Sequence, residues 1–276
     1  MKLTFLGTAA FEGIPALFCS CPACKNAREK GGKDIRTRTQ ALVNDDLLID
    51  FPCDAFSHFQ KHNLDFEKIK HLLITHSHSD HLVHYDLNIR SSGFAHPADP
   101  SPLHIYVGEA GYQNIQKGCE NTIKQGRIEL HLLKAWESFE CAGYKVTPVP
   151  AEHDYKSSPF IFIIERDGKT LFYVNDTGVL PETVYEKIKE RGIHFDYIAA
   201  DCTMELGTNG RWWGHFCFDE VVDFVNKLKE NGNLNENCAI CINHFSHNSY
   251  RSHDFLVEHA AKFGYDVSYD GKVVEF

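Results

Sequence analysis

Four potential metal ligands stand within six positions of this chain, in the run Thr75-His76-Ser77-His78-Ser79-Asp80-His81, directly after the apolar stretch Leu72 to Ile74. A short apolar run of that kind reads as a strand buried in a sheet. On an extended backbone, side chains two apart face the same way, so His76 and His78 point together into a space just past the strand. Ser79 is suited to cap a helix starting at Asp80, and that turn swings Asp80 and His81 toward the same space from a second direction. Neutral imidazole and carboxylate are ligands suited to Zn²⁺, Mn²⁺ or Fe²⁺. The plain alternative is a solvated loop that is rich in histidine by chance, and the placement after a strand weighs against it.

Further apolar runs punctuated by polar or Gly-containing turns read as strands: Leu3 to Leu6, Leu47 to Ile49, Ile105 to Val107, Tyr144 to Val149, Phe160 to Ile164, Leu171 to Val174, Tyr197 to Ala200 and Ala239 to Ile242. Helical patterns fall at about residues 80–90, 181–191, 218–230 and 252–263, with Pro181 placed as a first helical residue. Strands in hairpin-like succession mixed with helices predict an α/β fold of two sheets packed face to face and covered outside by helices, a four-layer αββα sandwich. No low-complexity linker divides the chain, so residues 1–276 are expected to form one domain. Residues 91–102, with Gly93, Pro97, Pro100 and Pro102, read as a surface loop and a candidate lid. The run 267–276, with Asp270-Gly271 at its centre, reads as a closing hairpin.

Three more candidate ligands obey one positional rule. His153 follows the strand ending near Val149, Asp176 follows Val174, and His244 follows Ile242. Functional groups gather past the ends of strands because the scaffold there is rigid and its loops converge. Taken singly, Asp176 is equally a turn former and each histidine equally a surface imidazole. Together with the first motif they predict one pocket of seven ligands.

The pattern His76-x-His78-x-Asp80-His81, then His153, Asp176 and His244 in that order, resembles the metallo-β-lactamase superfamily, and the opening Leu3 to Thr8 with Gly13 and Pro15 fits it. That resemblance implies that His76, His78 and His153 hold one divalent metal, that Asp80, His81 and His244 hold a second, and that Asp176 bridges them. Aspartate rather than cysteine at the bridging position is similar to hydrolases of the superfamily other than true β-lactamases, which disfavours lactam cleavage.

Near the amino end, Cys19-Ser20-Cys21-Pro22-Ala23-Cys24 places three thiols within six residues, enough to surround one Zn²⁺ if a fourth ligand arrives from elsewhere. His247, three residues after His244, is the best candidate; three plain reduced cysteines are the alternative. Cys202, Cys217, Cys238 and Cys241 sit among apolar residues and read as small core side chains. The segment from Gly13-Ile14-Pro15 through the three cysteines to Arg36-x-Arg38-Thr39 resembles the branch containing the cyclic-phosphate phosphodiesterase of the carbon-phosphorus lyase pathway of phosphonate degradation. It implies a Cys₃His structural zinc at Cys19, Cys21, Cys24 and His247 beside the dinuclear centre. The Trp212-Trp213-Gly214-His215 segment departs from that branch in a region of substrate-contacting loops, which leaves the substrate open.

The expected activity is hydrolysis of a small phosphodiester, cyclic forms included, by a dinuclear centre of Zn, Mn or Fe. Asp80 counts among the catalytic residues, and His215 is the candidate general acid and substrate contact, with a merely half-buried ring beside Trp213 as its alternative. Arg36 and Arg38 are candidates to reach the phosphate, or else surface ion-pair formers. A glyoxalase II-like thioesterase and a ribonuclease of the tRNA 3′-processing type are the alternatives. A formal charge of −10 disfavours long nucleic acid. The short apolar run at the amino end lacks a signal-peptide pattern and no stretch approaches roughly 20 apolar residues, so a cytoplasmic protein without a membrane partner is expected. Its ten cysteines are then reduced. The oligomeric state stays open, a homodimer among the options.

Overall fold

The computed structural model describes residues 1–207, 214–249 and 251–276. Trp212 and Trp213 therefore lie outside the described residues. Six strands, β1 (Lys2–Gly7), β2 (Gln40–Val43), β3 (Leu47–Ile49), β4 (His71–Leu73), β5 (Leu103–Val107) and β6 (Ile128–Leu132), lie side by side in chain order. A second sheet is built from β7 (Phe139–Cys141), β8 (Tyr144–Pro150), β9 (Phe160–Arg166), β10 (Lys169–Val174), β11 (Phe195–Asp201), β12 (Leu234–Asn243) and β13 (Asp266–Val267), again as neighbours in sequence. The last strand, β14 (Lys272–Glu275), returns to pair antiparallel with β1 at the edge of the first sheet. The helices are α1 (Pro22–Lys30), α2 (Ala55–Lys61), α3 (Glu109–Gly118), α4 (Glu120–Lys124), α5 (Glu182–Glu190), α6 (Phe218–Glu230) and α7 (His253–Ala261).

Alternation along the strands makes the layers. In β9 and β10, Phe162, Ile164, Leu171 and Tyr173 face the first sheet and pack with Leu3, Phe5, Val43, Ile49 and Leu73. Their neighbours Ile161, Ile163, Phe172 and Val174 face the other way, onto Val184, Ile188, Val221, Phe224, Leu228 and Leu256 of α5, α6 and α7. On the far side of the first sheet, Leu42, Leu48, Leu72, Ile105 and Val107 pack with Leu82, Leu87 and Ile115. These three buried layers are the αββα sandwich the sequence predicts. In α6, residues 218, 221, 224, 225 and 228 are all buried, the three-and-four spacing of one helical face. Its start is fixed by Glu220, whose carboxylate accepts the Cys217 N–H at 2.9 Å. Phe224 lies among Phe172, Tyr185 and Phe216, so its truncation to Ala would cost about 3–5 kcal/mol.

Strands β3 to β6 run parallel, as do β10 to β13, so their carboxyl ends collect at one rim of each sheet. Three sequence expectations are corrected. Residues 80–90 are not one helix capped by Ser79: only His84–Arg90 is helical, as 3₁₀ turns. The preceding backbone is used otherwise, because the His81 carbonyl accepts the Phe51 N–H at 2.7 Å and the Val83 N–H donates to the Phe51 carbonyl at 2.8 Å. The closing run is not a hairpin either, since β13 extends the second sheet and β14 the first. Asp270 anchors the crossing, accepting from the Thr8 hydroxyl at 2.7 Å and the Thr37 N–H at 2.7 Å. The loop 91–102 is tied to Glu67, Lys70 and Gln125 rather than to the His and Asp cluster. It closes an apolar cavity of about 450 Å³ lined by Phe51, Phe56, Phe59, Phe66 and Ile89, on the side of the first sheet away from the second. No helix of the described residues is long and apolar enough to cross a membrane.

Candidate metal centre

Past the end of β4 the chain brings His76 and His78 together with His153 from the loop after β8. Nε2 of His76 is 2.9 Å from Nδ1 of His78, and Nε2 of His153 is 3.2 Å from the same atom. The opposite ring nitrogens have other partners. Nε2 of His78 is 3.2 Å from the Asp154 carboxylate, and Nδ1–H of His153 donates to the Gly214 carbonyl at 3.0 Å. With the Thr75 hydroxyl 3.1 Å from Nδ1 of His76, these partners fix all three tautomers, leaving three lone pairs converging on one point. Gly214 is required there: at φ +107° a side chain would be strained, and a Cβ would stand 2.7 Å from Nδ1 of His153.

A second group, Asp80, His81, Asp176 and His244, is wholly buried beside the first. Nε2 of His81 lies 3.3 Å from Asp80 and 3.2 Å from Asp176, and Nε2 of His244 lies 2.8 Å from Asp176. The same Asp176 carboxylate is 3.6 Å from Nε2 of His76 and 3.9 Å from that of His153, so it stands between the two groups. Asp176 and His244 follow β10 and β12 at φ +55° and +63°, a left-handed backbone that costs about 1–3 kcal/mol each and clusters at functional positions.

Whether cations fit can be judged from the donors themselves. Tetrahedral bonds of about 2.0–2.1 Å to nitrogen or oxygen separate neighbouring ligand atoms by about 3.3 Å, close to the spacings found. Nε2 of His81, Nε2 of His244 and Oδ1 of Asp176 are buried and crowd together without the alignment of a hydrogen bond, a costly arrangement that a cation relieves. Burial alone would lower His81, but the Asp176, Asp80 and Asp50 carboxylates overturn this and hold its pKa well above the usual range. The site thus calls for positive charge. Both groups could hold a divalent ion.

Near the amino end, Cys19, Cys21, Cys24 and His247 also converge, with Nδ1 of His247 3.5 Å from the Cys19 sulfur and 3.4 Å from that of Cys21. Tetrahedral zinc with bonds of about 2.3 Å to sulfur and 2.0–2.1 Å to nitrogen separates such atoms by about 3.6 Å. Cys21 caps α1, and Pro22 starts it, which holds the three thiols in one turn. Burial pushes Cys21 up, yet bonds from His247 and the Cys24 N–H outweigh it and draw Cys21 down to about 6, while burial holds Cys24 at about 11. Cys24 therefore stays a thiol beside the Cys21 thiolate, and a cation would let it ionise as well.

His215 enters beside the first group, its ring centroid 4.9 Å from that of His153. Burial would lower it, but the Asp201 carboxylate 2.8 Å from Nδ1 raises it to about 9. Arg36 and Arg38 do not reach this cluster. Arg36 is buried, donating to the Thr8 hydroxyl at 2.9 Å and the Ser268 carbonyl at 2.8 Å, and Arg38 pairs with Asp54 at 3.0 Å. Of the four cysteines assigned to the core, Cys202 and Cys241 are buried, whereas Cys217 and Cys238 are half-buried. Sequence reading missed the residues that orient the cluster: Asp50 on His81, Asp154 on His78, and Asp201 and Thr203 on His215 and His244. Their signal was positional, since Asp50 and Asp201 also stand at the ends of strands.

A four-layer sandwich with histidines and aspartates clustered past the carboxyl ends of its strands defines the metallo-hydrolase class of proteins. The chain belongs to the β-lactamase superfamily: the Beta-lactamase superfamily domain matches residues 46–233. It is 28% identical over 199 residues to a ribonuclease Z of Picosynechococcus sp., a match that covers 69% of this chain and only 56% of that protein. Its fold is similar to that of a diphosphatase of the PhnP family, at a TM-score of 0.75 and 22% identity, covering 100% of this chain and 97% of that one. The Zn²⁺-bound PqqB of Methylobacterium extorquens is similar as well, at a TM-score of 0.74 and 18% identity over 100% of both chains.

Proposed function

We propose that the protein is a dinuclear-metal phosphodiesterase acting on a small phosphodiester, cyclic forms included. The observation that carries this reading is the place of Asp176 between two ligand groups, His76/His78/His153 and Asp80/His81/His244, in one buried cluster. Two divalent ions held there would lower the pKa of water and offset charge on the phosphoryl oxygens. Mixed nitrogen and oxygen ligands accept Zn, Mn or Fe. Cys19, Cys21, Cys24 and His247 are assigned a structural zinc.

The chain's own residues then do three things. Asp50, Asp154 and Thr203 hold the ligand rings in fixed tautomers, which keeps the site's geometry ready before substrate arrives. Asp201 takes the Nδ1–H of His215, leaving Nε2 to pass a proton to the departing alkoxide. Negative surroundings and a net charge of −10 favour a small substrate over a long polyanion. The PhnP-family diphosphatase and the ribonuclease Z, by their names, both cleave bonds at phosphorus, which supports a phosphorus-centred hydrolysis here. Aspartate at position 176 supports a reaction other than lactam cleavage.

The deciding experiment is turnover, with defined metals, of cyclic ribose phosphates, cyclic nucleotides, linear diesters, thioesters and a tRNA precursor. Highest kcat/KM on a small diester is expected. A preference for thioesters would replace this reading with a glyoxalase II-like activity, and a preference for the tRNA precursor with 3′-end processing.

A further inference from the structure

We propose that His104, Glu129 and His131 form a separate binding site for a divalent transition-metal ion such as Zn²⁺. Nδ1 of His104 is 3.0 Å from Nε2 of His131. The two Glu129 oxygens lie 3.6 Å from these nitrogens, one beside each ring. The spacings bracket the roughly 3.3 Å expected between ligands of a tetrahedral zinc, and two imidazoles with one carboxylate are a zinc ligand set that leaves a fourth position open.

Register explains the convergence. β5 and β6 are parallel, with His104 opposite Glu129 and Tyr106 opposite His131, so the three side chains come from rungs two apart and share one face of the sheet. The rings are held from behind. His104 stacks on His71 with centroids 5.2 Å apart, His131 stacks on Tyr106 at 4.6 Å, and Tyr106 stacks on Phe139 at 4.5 Å. Such support preorganises ligands at little entropic cost. β6 is the edge strand of its sheet and the three side chains are 29, 54 and 34% exposed in chain order, so an ion can reach them. The group also stands apart from the catalytic cluster: it shares a row with His71 at the start of β4, whereas His76 follows that strand's end.

A hydrogen bond between two neutral imidazoles would give the same 3.0 Å contact, and metal counting separates the two. Full-length wild-type protein and the His104→Ala/His131→Ala variant are equilibrated with Zn²⁺, passed through gel filtration, and analysed for zinc per chain by mass spectrometry. One ion fewer in the variant, with unchanged phosphodiester turnover, is expected. Glu129→Gln, which keeps both rings, should retain the ion with weaker affinity in a zinc-buffered titration. Equal zinc content in wild type and double variant would overturn the proposal. Because all these proteins keep the His/Asp cluster and the cysteine knot, the difference in zinc stands even if the catalytic reading fails.

Discussion

Oδ2 of Asp201 lies 2.8 Å from Nδ1 of His215, while its other oxygen accepts both the N–H and the hydroxyl of Thr203 at 2.9 Å. A carboxylate pinned in this way fixes the ring's tautomer as well as its direction. His215→Ala should lower kcat about 10² to 10⁴-fold for a diester with an alkoxide leaving group, and far less for p-nitrophenolate, which departs without a proton. Asp201→Asn should follow the same pattern more weakly with KM unchanged. Equal losses on both leaving groups would show that His215 does not supply the proton.

A second carboxylate acts one step behind the cluster. Asp50, at φ +66° past the end of β3, accepts from Nδ1–H of His81 at 2.7 Å and from the Thr75 N–H at 2.8 Å. Asp50→Asn should weaken metal binding or activity by about 10 to 100-fold, the usual cost of losing a partner that orients a ligating histidine. Zinc titration against a chelator of known affinity reads the effect. Unchanged affinity and turnover would show that His81 is held by packing alone.

What the sequence discloses and what it hides divide along physical lines. The strands around Leu72, Val149, Val174 and Ile242 were legible because their apolar runs are long enough to mark burial, and His76, His153, Asp176 and His244 then followed from position. The turn at Asp80 was not, because Phe51, some 30 residues earlier, captures the backbone groups that a helix would have used. Nor was the split between β13 and β14 visible. Asp270-Gly271 reads as a hairpin locally, and only Thr8 and Thr37, far away in sequence, show that it bridges two sheets. The burial of Arg36 was hidden for the same reason, since its partner Ser268 is set by tertiary contact, whereas Arg38 forms with Asp54 the ion pair given as its alternative.

Loss of the cysteine knot should act on stability first and activity second. His247 and His244 share the loop after β12, so a cation on Cys19, Cys21, Cys24 and His247 would brace the segment that carries His244. Cys21→Ser is expected to lose one zinc per chain. A destabilisation on the order of 4 kcal/mol, the scale that loss of a metal reaches, corresponds to a fall in Tm of roughly 8–16 °C. Scanning calorimetry with metal analysis checks both. Wild-type Tm and full zinc content in the variant would rule out the structural role.

The pH dependence of stability should carry the mark of Glu205. Its side chain is buried, Oε2 has no hydrogen-bond partner, and burial pushes its pKa to about 8 against the opposing charges of Arg36 and Arg251. Its ordinary value is 4.5. Between those two values the native state keeps a proton that the unfolded chain releases, so stability falls as pH rises through that window and levels off above it. The full effect is bounded at roughly 5 kcal/mol. Glu205→Gln keeps the shape and removes the titration. Its Tm should therefore exceed that of the wild type by a margin that grows from pH 5 to pH 8, because the titrations of the His/Asp cluster and the cysteine knot are common to both proteins and cancel in the difference. Parallel curves in thermal melts of the two zinc-loaded proteins would mean that Glu205 is ionised in the folded state, held by the arginines after all.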